Sequence, residues 1–216
     1  MKQRQDKKRS NKKSVEYISD KILSQLNNHS KDSKILDVAT GKGYLLKELE
    51  NAGFNKLHSA DINPEQFKYD KQKYNFKTVD ANKKLPYQNQ EFDIVISSET
   101  IEHLKNPSNF ISEVSRILKP KGTFILTTPN VETIFSRLYF LAKGKLTAHT
   151  KADYLKSGHI SILPSWLILR FTNSSGFKQK NLTYNCGYIP LLKWKFPQLL
   201  LNKLFGWISV YVFTKE

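Results

Sequence analysis

The sequence predicts an α/β fold built on a doubly wound, mostly parallel sheet with helices on both faces. Three observations carry that expectation. Residues 34–49 read KILDVATGKGYLLKEL, in which Ile35-Leu36-Asp37-Val38 has the apolar, β-branched character of a buried parallel strand. Gly41 and Gly43 then make a tight turn that lets backbone approach a ligand, and Leu45, Leu46 and Leu49 recur at helical spacing. Finally, acids close three successive strands. Asp37 ends the first, Asp61 (20 residues past Gly41) the second and Asp80 the third, so all three face one crevice at the ends of the strands. A single acid of this kind reads as a helix or turn cap; three in this order do not.

The elements follow in order. Val15, Ile18, Ile22 and Leu26 space out an amphipathic helix packed across the sheet edge. The strand of residues 35–38 and its glycine turn and helix come next, then strands at Lys56 to Ala60 and Asn75 to Val79. A fourth, buried strand covers Phe92 to Ile96. Pro107 opens a helix through Leu118, and Lys119-Pro120-Lys121-Gly122 ends it with two breakers. Thr123 to Thr128 is the fifth strand. Val131 to Lys143 reads as helix, Gly144 to Ser157 as a polar, mobile stretch, and Pro164 to Ser175 as helix, with Gly176 just past its end. Phe177 to Tyr184 and Trp207 to Phe213 make two final strands. There is no internal repeat and no domain boundary after residue 14, so residues 14–216 are expected to be one domain behind a basic, disordered tail at residues 1–13.

The turn also discriminates between ligands. A dinucleotide site needs G-x-G-x-x-G so that a pyrophosphate can sit on the helix N-terminus. The third glycine would fall at Leu46, and an extra small residue lies upstream instead, giving Asp37-x-Ala39-x-Gly41-x-Gly43. A turn that opens without a diphosphate suits an adenosine with an amino-acid tail, which disfavours NAD.

From residue 33 to residue 216 the chain resembles the class I S-adenosylmethionine-dependent methyltransferases. The matching segments are ILDVATGKG, SADIN, VDANKKLPYQNQEFDIVISSETIEHL, LKPKGTFILTTPN and GHISILP. The resemblance implies a Rossmann-like methyltransferase fold, a seven-stranded, mostly parallel sheet with an antiparallel final strand. It implies S-adenosylmethionine as cofactor, with Asp37, Ala39, Gly41 and Gly43 around the methionine part, Asp61 on the ribose hydroxyls, and Asp80 with the Ala81 backbone at the adenine. Ile62 and Ser97 complete the cofactor set. The family usually has glycine where this chain has Ala39, a change that a negative φ would tolerate.

Chemistry is expected where the fourth strand empties, at Ser97-Ser98-Glu99-Thr100-Ile101-Glu102-His103. On a helical turn Glu99, Glu102 and His103 would share one face, and two carboxylates with an imidazole could hold a divalent cation such as Mg²⁺ or Mn²⁺. This E-x-x-E-H cluster is similar to that of ubiquinone-pathway O-methyltransferases and of small-RNA 3′-terminal 2′-O-methyltransferases, which by resemblance implies a metal held by Glu99, Glu102, His103 and His159. The RNA enzymes add a histidine beyond an S-T-P-N segment, as His159 follows Thr127-Thr128-Pro129-Asn130 here. The alternative stays open: Glu-His-Leu is widespread in metal-free members, where Glu102 or His103 ties down the loop while His103, His159 or Glu99 acts as base. Such groups suit an oxygen acceptor, whose proton must leave. His29, His58 and His149 read as surface residues.

Composition narrows the rest. With 39% apolar residues, 216 positions can bury a core without disulfides. The lone Cys186 fits a reducing compartment, and neither a secretory signal nor a spanning segment is visible, so the expected place is the cytoplasm. The charge of +16 is uneven: residues 1–13 hold seven bases against Asp6, residues 14–150 are nearly balanced, and residues 151–216 hold nine bases against two acids. Either the tail is solvated or it touches RNA or an anionic membrane surface. Residues 131–170 and 185–206 are expected to form a lid and substrate region, where Tyr188, Trp194, Phe196 and Phe205 alternate with lysines. The acceptor expected is a small molecule, sugar or lipid-linked compound. A metal-dependent RNA 2′-O-methyltransferase and a catalytically silent scaffold are the other readings, and the intact crevice acids argue against the scaffold.

Overall fold

Strand β1 (Lys34–Val38) is the hinge of the architecture. A computed structural model describes residues 18–185, 188–189, 194–195 and 203–216. In it β1 pairs in parallel with β2 (Lys56–Asp61) on one side, and β2 with the short β3 (Lys77–Thr78) beyond. On its other side β1 pairs with β4 (Phe92–Ser98), again in parallel, and β4 with β5 (Leu118–Pro129). β6 (Phe177–Asn185) lies at the far edge, and β9 (Ile208–Lys215) inserts between β5 and β6, antiparallel to both. The order is therefore β3-β2-β1-β4-β5-β9-β6; successive strands are added outward on one side of β1 and then, from β4, on the other, which places a ligand crevice at the ends of β1 and β4. A two-stranded ribbon, β7 (Tyr188–Ile189) with β8 (Trp194–Lys195), stands apart.

Both faces of the sheet are buried, which is why its strands read as unbroken apolar runs. Ile35, Ile94, Ile96, Ile125, Val210 and Val212 point to one face, under the leucines of α2 (Tyr44–Asn51) and Ile18, Ile22 and Leu26 from helical residues 18–24 (α1) and the turn after them. Leu36, Val95, Phe124, Leu126, Tyr211 and Phe213 point to the other, against α3 (Pro107–Ile117) and α6 (Ser165–Ser174). The alternation is the period-2 geometry of a strand. Asn106 caps α3 by accepting the Asn109 N–H, with Pro107 in the first turn.

Several expected boundaries move. The third strand shrinks to Lys77–Thr78 because Asn75 sits at φ 44°, outside the extended region. The breakers Lys119-Pro120-Lys121-Gly122 do not form a loop before the fifth strand. β5 already pairs at Leu118 opposite Phe92, and the register shift that follows, with Lys121 at φ 62°, absorbs them. Helix α4 (Ile134–Lys143) starts later than expected, since the Thr133 hydroxyl caps it by accepting the Ser136 N–H. The stretch expected to be irregular contains α5 (Lys151–Ser157). Val15, Cys186, the tail at residues 1–13 and most of the 185–206 region lie outside the described residues. Among the described residues, no helix is long and apolar enough to cross a membrane.

Candidate active site

The turn after β1 is shaped by its own polar groups. Ala39, Gly41 and Gly43 all take positive φ (60°, 56° and 80°). The negative φ that would make alanine tolerable at position 39 is not present: its methyl group stands in the left-handed region where glycine is at ease. The Thr40 N–H donates to the Ala60 carbonyl at 3.0 Å and the Gly43 N–H to the Thr40 carbonyl at 3.0 Å, which fold the chain back over β2. Gly43 has no room for a side chain, because a Cβ there would stand 2.6 Å from the Phe67 ring. Gly41 faces open space, with nothing within 4 Å of a built Cβ.

The three acids differ sharply in environment. Asp37 is 2% exposed and accepts one hydrogen bond, from the Thr40 hydroxyl at 2.7 Å. Burial pushes its carboxyl up to about 7, against the pull of Thr40 and with a push from the charge of Asp61. Asp61 accepts from the Gly41 N–H at 2.7 Å, the Asn63 N–H at 2.8 Å and the Gln66 amide at 2.9 Å, so it braces the glycine turn from the next strand. Asp80 accepts from the Asn82 N–H at 2.9 Å, which holds its carboxyl below the usual carboxylate range. Asn82 in turn accepts the Lys105 N–H, tying this corner to the loop after β4. Ala81 is buried, Ile62 is exposed beside Asp61, and Ser97, on the strand next to Asp37, has a buried hydroxyl without a hydrogen-bond partner. Thr40, Gln66 and Asn82 are absent from the sequence reading, for they act through contacts that no spacing announces.

The end of β4 leads to the second half of the site. Glu99 sits at φ 50°, a strained backbone held because its N–H donates to both the carbonyl (3.1 Å) and the hydroxyl (3.0 Å) of Thr127. The same hydroxyl donates to the Glu99 carboxylate at 3.1 Å, and burial pushes that carboxyl up to about 7. A single turn of 3₁₀ helix, Ile101–His103, follows. Glu102 is 1% exposed and accepts from the Thr128 hydroxyl at 3.1 Å through Oε2, while its Oε1 is buried without a partner. Burial, then the charge of Glu99, raise its carboxyl well above the ordinary range.

The chain returns to this turn from far along the sequence. The amides of Ile160 and Ser161 both donate to the Glu102 carbonyl at 2.9 Å, and the Ser161 hydroxyl donates to the Leu104 carbonyl. His159 is thereby set against His103, ring centroids 4.9 Å apart. Each imidazole places its Nδ1 on a backbone carbonyl, His103 on Gly158 at 3.2 Å and His159 on Ala148 at 2.6 Å. A carbonyl only accepts, so each Nδ1 carries a proton and Nε2 is the ring atom left for the site. Burial keeps the His103 pKa low and its ring neutral. The ligand atoms of Glu102, His103 and His159 all lie within 4.8 Å of one another; Glu99 stands apart from this group, on Thr127. His149, expected at the surface, is partly buried with its ring 5.6 Å from His159. His29 and His58 are also partly buried, against Thr123 and Phe92, yet belong to the scaffold.

A glycine turn braced by the acid of the next strand, with a buried carboxyl beneath it, defines the cofactor crevice of the S-adenosylmethionine-dependent methyltransferases. A methyltransferase-domain family model matches residues 6–178, and the chain belongs to that family. It is 29% identical over 188 residues to the ubiquinone biosynthesis O-methyltransferase of Rickettsia bellii, a match covering 79% of this chain and 73% of the relative. The same enzyme of Rickettsia typhi is 31% identical over 187 residues, with 79% and 71% covered. A methyltransferase structure from Archaeoglobus fulgidus superposes with a TM-score of 0.69 at 17% identity, covering 93% of this chain and 94% of that one. The protein is an enzyme that uses S-adenosylmethionine.

Proposed function

We propose that the chain methylates an oxygen atom of a small-molecule or lipid-linked acceptor seated over Glu102, His103 and His159. The observation that carries the reading is the convergence of the buried Glu102 carboxyl and the imidazoles of His103 and His159 within 4.8 Å. The sulfonium of the cofactor already activates its methyl group, so the protein must align an acceptor lone pair and exclude water. A hydroxyl acceptor must also lose its proton, and Nε2 of His103 or His159 is a lone pair suited to take it. The relatives named as O-methyltransferases agree with an oxygen acceptor.

The same donors fit a divalent cation. Glu102 Oε1 is buried without a hydrogen bond and lies 4.0 Å from His103 Nε2, and both imidazoles are oriented through Nδ1 by backbone carbonyls, the usual support of a metal-ligating histidine. Glu102, His103 and His159 would hold such an ion, which when bound would lower the pKa of an acceptor hydroxyl. The remaining groups position. Thr128 fixes Glu102, Thr127 fixes Glu99, and the paired amides of Ile160 and Ser161 hold the histidine-bearing segment in place.

The test is transfer from labelled S-adenosylmethionine to lipid, small-molecule and RNA fractions. Label in a phenol or alcohol of the first two is expected, and His159→Ala should lower kcat by about 10²- to 10⁴-fold with unchanged S-adenosylhomocysteine affinity. Label confined to an RNA 3′ end, or to an amine, would overturn the reading. Titration with Mn²⁺ followed by its paramagnetic resonance reads the cation separately: loss of binding in Glu102→Gln is expected if the carboxylate is a ligand.

A further inference from the structure

Helix α4 buries a single residue, Ser136, of its ten, and every residue from Arg137 to Lys145 is exposed. Within that stretch Leu138 is 56%, Phe140 53% and Leu141 82% exposed. Apolar surface continues on α5 with Leu155 at 72%, and at the start of α6 with Trp166 at 60%. These elements are joined to one another: the Thr147 N–H donates to the Ser136 hydroxyl, the Tyr154 N–H to the Thr150 carbonyl, and His159 to the Ala148 carbonyl. A helix with apolar residues around it belongs in a core or against an apolar phase, and exposed apolar surface on this scale marks an interaction site.

We propose that α4, α5 and the loop between them dock on an anionic lipid bilayer. The charge pattern selects that occupant. From the start of α4 to the end of α5 the chain carries Arg137, Lys143, Lys145, Lys151 and Lys156 against the single acid Asp153, the composition of a segment that lies in a negatively charged interface with its bases among the headgroups. A second copy of this chain is a poor partner, because the segment sets five bases against the single acid Asp153 and the chain as a whole carries +16. Aromatic rings at Tyr139, Tyr154 and Trp166, all exposed, suit the headgroup level. The patch runs into residues 158–162, which carry His159 and the exposed Ile160 and Ile162, so docking would bring the acceptor side of the active site to the membrane plane. The inference rests on the surface and not on the identity of the acceptor.

Sedimentation of the full chain with vesicles tests it, using phosphatidylcholine alone and phosphatidylcholine with phosphatidylglycerol. Wild type should pellet with the anionic vesicles and bind them less as salt rises from about 0.1 to about 0.5 M. The double variant Leu141→Glu with Leu155→Glu should bind on the order of a hundredfold more weakly. Its melting temperature and S-adenosylhomocysteine affinity should match wild type, since both positions are exposed and outside the crevice. Three results would overturn the proposal: wild type left in the supernatant, equal binding by wild type and double variant, or binding lost on deletion of residues 1–13 but kept in the double variant. A wild-type dimer that the double variant dissociates, without vesicle binding, would assign the patch to self-association instead.

Discussion

Replacing Asp37 with asparagine should stabilise the ligand-free protein, and only at neutral to alkaline pH. The carboxyl is 2% exposed and burial lifts it from 3.8 to about 7. For an acid raised in the folded state, the favourable contribution is fully present below the unfolded value near 4 and is lost as pH climbs through 7. The gap between the two values corresponds to about 4 kcal/mol at 1.36 kcal/mol per pH unit, a ceiling on the penalty carried at pH 8. Asparagine has no charge to bury but leaves an amide to satisfy, so about 2 kcal/mol should be recovered. For a domain of this length that is a rise in Tm of about 4–8 °C at pH 8, with no rise at pH 4. Glu99 titrates in the same window in both proteins, so the variant-minus-wild-type difference isolates Asp37. Scanning calorimetry at the two pH values reads it. An unchanged or lower Tm at pH 8, or an equal rise at both, would refute the reasoning. If Asp37 lies against the cofactor's ammonium as proposed, calorimetric titration should find S-adenosylhomocysteine bound roughly tenfold or more weakly.

Other outcomes follow from the same turn. Ala39→Gly removes a left-handed cost of about 1–2 kcal/mol and adds unfolded-state freedom of about 0.4–1 kcal/mol, for a net gain of roughly 0.5–1 kcal/mol in urea unfolding. Gly43→Ala pushes a methyl group into the Phe67 ring at positive φ, and should lose about 2–4 kcal/mol by the same measurement. Asp61→Ala takes the acceptor from the Gly41 N–H and, if Asp61 holds the ribose as proposed, from the cofactor too, so S-adenosylhomocysteine affinity should fall about ten- to a hundredfold by calorimetry; unchanged affinity would count against that placement of the cofactor.

What could be read from the chain in advance was whatever depends on neighbours in sequence. The run Ile35–Val38 announced a strand because both its faces are buried, and the capped Pro107 helix announced itself through its first turn. The helix ends ahead of Lys119–Gly122 as read, but the fifth strand starts before Thr123 because pairing of Leu118 with Phe92 carries those residues into β5. The φ of Ala39 could not be read in advance, because the turn's shape is imposed from β2, through Ala60 and Asp61, and not by the residue itself. In the E-x-x-E-H cluster, spacing suggested three side chains on one helical face. Thr127 draws Glu99 aside, and His159 arrives through the Glu102 carbonyl and the Ala148 carbonyl. Those partners are far away in the chain, and their arrangement exists only once the sheet has formed.

The position of β9 sets an order of events in folding. Among the described strands, β6 has no hydrogen-bonding neighbour except β9, which also fills the place beside β5. During synthesis residues 177–185 therefore emerge with both edges bare and wait for residues 208–215, while the parallel half from β3 to β5 can already close around α2 and α3. Until then the outer edge of β5, with Phe124, Ile125 and Leu126 at its centre, is an open template for any extended chain nearby. Holding that edge covered is the task a chaperone would have with this protein, and a variant that slows the arrival of β9 would reveal itself as aggregation during expression while the purified, folded fraction kept normal stability.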